Sequence, residues 1–177
     1  KDDLERNIER VKGDIEKEPG NKKYVIQLGD LYRRGKHYDE AAAAYRRAKE
    51  IDPNDASIDE RLGDLRIEVY ENNIAEIEER IKKNQAQPGD SEKLAALKAE
   101  RDAFATQEYA ARIKIRPTDL PLRYKLGMLY FNAGKIDEAI VELQQAVRSP
   151  QHRRAATFYY GVCLLRKEMY DLAIVQF

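Results

Sequence analysis

The stretch "YVIQLGDLYRRGKHYDEAAAAYRRAKEIDP", Tyr24 to Pro53, decides how this chain folds. Two apolar-periodic runs flank the polar turn "RRGKH", and the second run closes on a proline. Apolar and small residues three and four apart mark each run as a helix. Gly29 in the first helix and Ala41 and Ala48 in the second are small where two helices would cross. A larger side chain there would hold the backbones apart. Leu28, Tyr32 and Tyr45 are large and would fill the gaps between the helices.

The same pattern recurs. "RYKLGMLYFNAGKIDEAIVELQQAVRSP" runs from Arg123 to Pro150, and "TFYYGVCLLRKEMYDLAIVQF" runs from Thr157 to the end. Gly29 and Gly63 are 34 residues apart, and so are Gly127 and Gly161, whereas Gly63 and Gly127 are 64 apart. In one register stand Leu28, Gly29, Tyr32, Ala41, Tyr45, Ala48 and Pro53, then Leu126, Gly127, Tyr130, Ala139, Leu143 and Ala146, with Pro150 one place early. Tyr160, Gly161, Leu164, Ala173 and Phe177 follow. This pattern resembles the tetratricopeptide repeat, a helix-turn-helix unit of 34 residues. The resemblance implies an all-α, right-handed superhelical solenoid, here with one pair of elongated helices.

The repeats are expected at 22–55, 56–119, 120–153 and 154–177. Residues 1–18 read as helix B of a preceding repeat, with Leu4, Ile8, Val11 and Ile15 on one apolar stripe. Both ends read as cut from a longer protein. Gly35 and Gly134 are expected to supply left-handed C-caps to the A helices. Asp39 and Asp137 are expected to precede the B helices, with Glu40 and Glu138 at the positive end of the helix dipole.

The second repeat carries thirty extra residues, around 70–105. "IEVYENNIAEIEERIKKN" has no Gly or Pro to end helix A, so the helix is expected to run to about Asn84. Ile67, Tyr70, Ile74, Ile77 and Ile81 are spaced 3, 4, 3, 4, a coiled-coil seam. Gln87-Pro88-Gly89-Asp90 turns the chain, and Asp90 or Ser91 can cap the returning helix, which carries Leu94, Leu97 and Phe104. Arg101 interrupts that returning seam. About fifteen extra residues are expected in each helix, giving a protruding hairpin.

Composition narrows the function. The 32 Lys and Arg balance 32 Asp and Glu, which argues against general nucleic-acid binding. No apolar run approaches the roughly 20 residues of a membrane span. A soluble, cytoplasmic setting is slightly favoured, although the single Cys163 fits any redox compartment. Cys163 sits in the apolar run "YGVCLL" with no His beside it, and His37 and His152 lie in different repeats. No metal site, cofactor site or catalytic constellation is expected. The basic clusters "YRRGKH" and "RSPQHRRAA" sit near helix ends, where cations meet terminal carbonyls or solvent.

The resemblance implies a partner peptide or helix held on the concave face of the A helices. It places Ile26, Asp30, Arg33, Tyr124, Met128, Phe131, Phe158 and Val162 there. The face changes from charged to apolar along the array. One subfamily grips chaperone carboxylates with Lys and Asn on its first A helices; Ile26 and Asp30 occupy those places and speak against that role. The expected function is a non-catalytic scaffold for a protein partner, with the hairpin as a second contact surface. The alternatives are an oligomerisation module and a regulatory or targeting domain of a larger protein.

Overall fold

The computed structural model describes residues 2–176. Among these there are nine helices: α1 (Asp2–Lys17), α2 (Lys22–Arg34), α3 (Tyr38–Ile51), α4 (Ala56–Lys82), α5 (Asp90–Ile115), α6 (Leu120–Asn132), α7 (Ile136–Ala146), α8 (Arg153–Arg166) and α9 (Tyr170–Gln176). The fold is all-α, with consecutive helices packed as hairpins. The chain forms two compact units, Lys1–Leu97 and Lys98–Phe177, and their boundary falls inside α5.

In the first unit, Val11 and Ile15 of α1, Val25 of α2, Ala41, Ala44, Tyr45 and Ala48 of α3, and Ile58 and Leu65 of α4 form one buried core. In the second, Ile113 of α5 packs with Leu122 and Leu126 of α6. Ala139 and Leu143 of α7 pack with Cys163 of α8.

The close crossings follow from the small residues. A Cβ on Gly29 would stand 2.5 Å from the Tyr45 ring, and one on Gly127 would stand 2.8 Å from Leu143 Cγ. Neither contact is sterically possible without movement, so α2/α3 and α6/α7 reach their spacing because these positions carry no side chain.

Helix starts follow capping chemistry. Asn21, Asp55 and Asp119 accept backbone hydrogen bonds from Lys23, Ser57 and Leu122 respectively, opening α2, α4 and α6. The B helices begin without a side-chain cap, at His37 and Lys135. Asp39 and Asp137 therefore lie inside the first turn beside Glu40 and Glu138, not ahead of the helix as expected. There they act on the dipole and not as caps.

The turn between helices A and B corrects a second expectation. Gly35 is right-handed, with φ −79°, and the left-handed residue is Lys36, at φ 61°. Gly35 is small for another reason: a Cβ there would meet Leu4 of α1 at 2.9 Å and His37 at 2.7 Å. Gly134 is left-handed as expected, at φ 74°, and Glu168 takes the same place at φ 59°. Each left-handed residue is followed by a long cap bond: His37 N donates to Tyr32 O, Lys135 N to Tyr130 O, and Met169 N to Leu164 O, all at 2.9 Å.

The second repeat makes this turn too, but late. Asn84 is left-handed at φ 58°, and Gln85 N donates to Arg80 O at 2.8 Å. Lys36 predicts the turn 34 residues on, at Tyr70, so it arrives fourteen residues late, about four helical turns. α4 has 27 residues against 13 in α2, and α5 has 26 against 14 in α3. The insertion thus divides as fourteen residues in the first helix, twelve in the second and four in the turn.

That turn is fastened by Asp90. Its carboxylate accepts from Arg80 Nη2 at 2.6 Å, Arg80 Nε at 3.2 Å and Gln87 N at 2.9 Å. Arg80 and then the Gln87 amide hold its pKa below the ordinary carboxylate value. Of the predicted seam, Ile67, Ile74 and Ile77 are buried, while Ile81 is exposed. Arg101 is partly buried and pairs with its neighbour Asp102 at 2.7 Å.

Candidate partner-binding groove

The A helices of the second unit, α6 and α8, carry the expected apolar residues, and the structure brings these together. Phe131 of α6 meets Tyr159 of α8 edge-on at 5.1 Å, and Phe158 meets Tyr159 edge-on at 5.3 Å. Tyr124 stacks flat on His152, with centroids 4.4 Å apart. Arg166 Cζ lies 4.4 Å from the Phe131 ring centre. Met128 is partly buried against the Ala139–Leu143–Cys163 cluster. Val162 is partly buried, and Phe158 and Leu165 are exposed. Burial raises the Tyr124 pKa above the ordinary tyrosine value.

In the first unit the expected residues are engaged with their own chain. Asp30 accepts from the Tyr45 hydroxyl at 2.6 Å and pairs with Arg61. Burial and that bond to Asp30 push the Tyr45 pKa up to about 12. Arg33 pairs with Glu68 through its Nε. Ile26 packs on the edge of the core. A shallow cavity of about 440 Å³ lies among Asp30, Arg33, Arg34, Lys36 and Glu68.

Three features escaped sequence reading. His152 joins the aromatic cluster by stacking on Tyr124, which a helix-end residue gave no cause to expect. A crevice of about 470 Å³ opens between α5 and α6, lined by Ala99, Ala103, Thr106, Leu129 and Tyr130 among others. The third is the acid-free character of α6 and α8: neither helix contains Asp or Glu, which a count over the whole neutral chain conceals. Cys163 is fully buried and burial raises its thiol pKa, as suits a core residue and not a thiolate nucleophile. Among the described residues no group of His, Cys, Asp and Glu could hold a metal ion, and no helix is long and apolar enough to cross a membrane.

Helix pairs whose glycines recur at a 34-residue spacing, with close crossings at Gly29 and Gly127, define an all-α helical-repeat protein. Residues 23–55 and 124–177 both match family models for the tetratricopeptide repeat. The chain is a tetratricopeptide repeat protein. Its fold is similar to a crystal structure of MamA, at 17% identity over 99% of this chain and 85% of that one, with a TM-score of 0.57. MamA from Desulfovibrio magneticus RS-1 is similar at 16% identity over 98% and 81%, with a TM-score of 0.57. YrrB, described as a TPR protein with an unusual peptide-binding site, is similar at 20% identity over 96% and 89%, with a TM-score of 0.53. These likenesses show the fold alone. No curated protein matches the sequence. Tetratricopeptide repeat proteins generally mediate protein–protein interactions, and the family is typically non-catalytic.

Proposed function

We propose that this protein is a non-catalytic scaffold that holds an apolar segment of a partner protein on the α6–α8 face. The supporting observation is Phe158, which stays 53% exposed on a helix although Tyr159 stands beside it. Leu165, two turns on, is 43% exposed. Exposed aromatic and aliphatic side chains on firmly packed helices are what an interaction surface requires. YrrB gives the same fold a precedent for peptide binding. The long helices α4 and α5 offer a second contact surface.

The test is selection from a phage-displayed random peptide library on the purified protein. Selected peptides should bind at least about tenfold more weakly to a Phe158→Ala, Leu165→Ala double variant, whose truncated side chains are exposed, so the fold survives. Equal binding to the two proteins places the site elsewhere.

A second reading, self-association, is favoured by α9, where Ile174 and Val175 are 71% and 78% exposed. It predicts a sedimentation mass that rises with concentration and stops rising in an Ile174→Glu, Val175→Glu variant. A constant monomer mass in the parent protein overturns it.

A further inference from the structure

We propose that the segment held on the α6–α8 face is acidic at both ends and apolar between them. The inference rests on the groove reading above and adds the chemistry of its occupant.

The observations are cations without a carboxylate partner. Arg166 lies over the Phe131 ring, and no ion pair to it occurs among the described residues. Arg154 stands one turn before Phe158, hence beside it on the helix surface, and no ion pair to it occurs among the described residues either. The other cations of these helices are directed away. Arg123 pairs with Glu142 of α7 at 2.7 Å, and Lys125 lies over the Tyr109 ring of α5. Arg153 is five residues before Phe158, about 140° round the helix. The face is therefore an apolar strip through Phe158 and Val162, bracketed by two arginines. Arg154 and Arg166 are twelve residues apart, about 18 Å along the helix.

The opposite sign is missing locally. α6 and α8 contain no Asp or Glu. Residues 98–177 as a whole hold thirteen Lys and Arg against nine Asp and Glu, while residues 1–97 hold nineteen against twenty-three. The groove arginines of the two units also differ in kind. Arg33 already has Glu68, so a ligand carboxylate there would have to displace an internal one. Arg154 and Arg166 need no such exchange. Charge complementarity of this sort steers encounter and rejects partners of the wrong sign. An extended segment covers about 3.3 Å per residue, so its two carboxylate ends should stand five or six residues apart.

The probes are fluorescein-labelled peptides with Leu-Phe-Ser-Leu-Phe between paired end residues, made with Asp-Asp, Asn-Asn or Lys-Lys at both ends. Anisotropy should show the Asp peptide binding about tenfold tighter than the Asn peptide, with the Lys peptide weakest. Raising the salt should erode the preference. An Arg154→Glu, Arg166→Glu variant should lose it. An Arg148→Glu, Arg153→Glu variant changes the net charge equally and should keep it. If the Asn peptide binds as tightly as the Asp peptide, and Phe158→Ala with Leu165→Ala weakens both, the charge assignment is overturned and the groove reading stands. If both charge-reversed variants lose the preference equally, long-range net charge is responsible and the proposal is overturned. Failure of all three peptides to bind also overturns it, while the library selection still judges the groove reading separately.

Discussion

Gly29 and Gly127 occupy equivalent places, yet they meet different neighbours. The would-be Cβ of Gly29 points at the ring of Tyr45, which is fully buried and tied through its hydroxyl to Asp30. The would-be Cβ of Gly127 points at Leu143, which is also fully buried but is smaller than tyrosine and has no hydroxyl bond to hold it in place. Alanine in a helix also gains about 1 kcal/mol over glycine, while overpacking costs about 1–3 kcal/mol. Gly29→Ala should therefore lower stability by about 2 kcal/mol and Gly127→Ala by about 1 kcal/mol or less, measured by urea denaturation. An equal loss at both sites would mean the tyrosine can move as freely as the leucine. These two glycines were legible in the sequence because spacing alone set them in register. Gly35 was not read correctly, since a glycine beside a turn suggests a left-handed backbone. The structure instead gives that conformation to Lys36, and again to Glu168, neither of which advertises it. Gly35 answers to Leu4 of the preceding helix, a contact that no local pattern encodes.

Among the elements, the start of α4 shows how one acidic residue serves two neighbours. Asp55 caps the helix through Ser57 N at 2.9 Å and also accepts from Lys22 Nζ of α2 at 2.8 Å, beside Asp52 at 2.6 Å from the same nitrogen. The Lys22 bond first, and then the Ser57 bonds, hold the Asp55 pKa down to about 2 from an ordinary 3.8. The unfolded chain therefore takes up this proton before the folded one does. The stability Asp55 contributes is complete above about pH 4 and is lost as the pH falls through about 2. Asp55→Asn should lower the denaturation midpoint at neutral pH, and its gap from the parent protein should narrow between about pH 4 and pH 2. A gap of constant size across that range would mean the carboxylate charge contributes nothing. The length of α4 was legible for a plain reason: nothing between Ile67 and Asn84 can break a helix. The role of Asp90 was only half legible. Its place beside a turn suggested a cap, but the carboxylate turns back to Arg80 and fastens the turn. The groove divided in the same way. Position in the repeat selected the candidate residues, whereas the pairing of Asp30 and Arg33 within the chain depends on Arg61 and Glu68, about one repeat away.

Across the whole molecule, the 34-residue period poses a sharper question about the insertion than its length does. Deleting Asn73–Asp102 removes thirty residues and restores the period, so the ordinary turn would fall where Lys36, Gly134 and Glu168 place it, at Tyr70. A left-handed backbone costs a residue with a Cβ about 1–2 kcal/mol, and tyrosine has no short polar side chain to offset that cost. In the undeleted chain Tyr70 sits inside α4, where glycine would cost about 0.5 kcal/mol relative to tyrosine through helix propensity, in addition to the lost ring. Tyr70→Gly should therefore have opposite signs in the two backgrounds: destabilising in the full chain, and stabilising by about 1 kcal/mol in the deletion variant, both read by urea denaturation. Tyr109 and Ile113 remain in the deletion variant to meet Leu122 and Leu126, so the core of the second unit keeps its partners. Peptide binding on the α6–α8 face should survive as well, because none of its residues is removed. If Tyr70→Gly destabilises both proteins, the shortened repeat has not formed the ordinary turn, and the long helices are then required by the repeat that carries them and are not an addition to it.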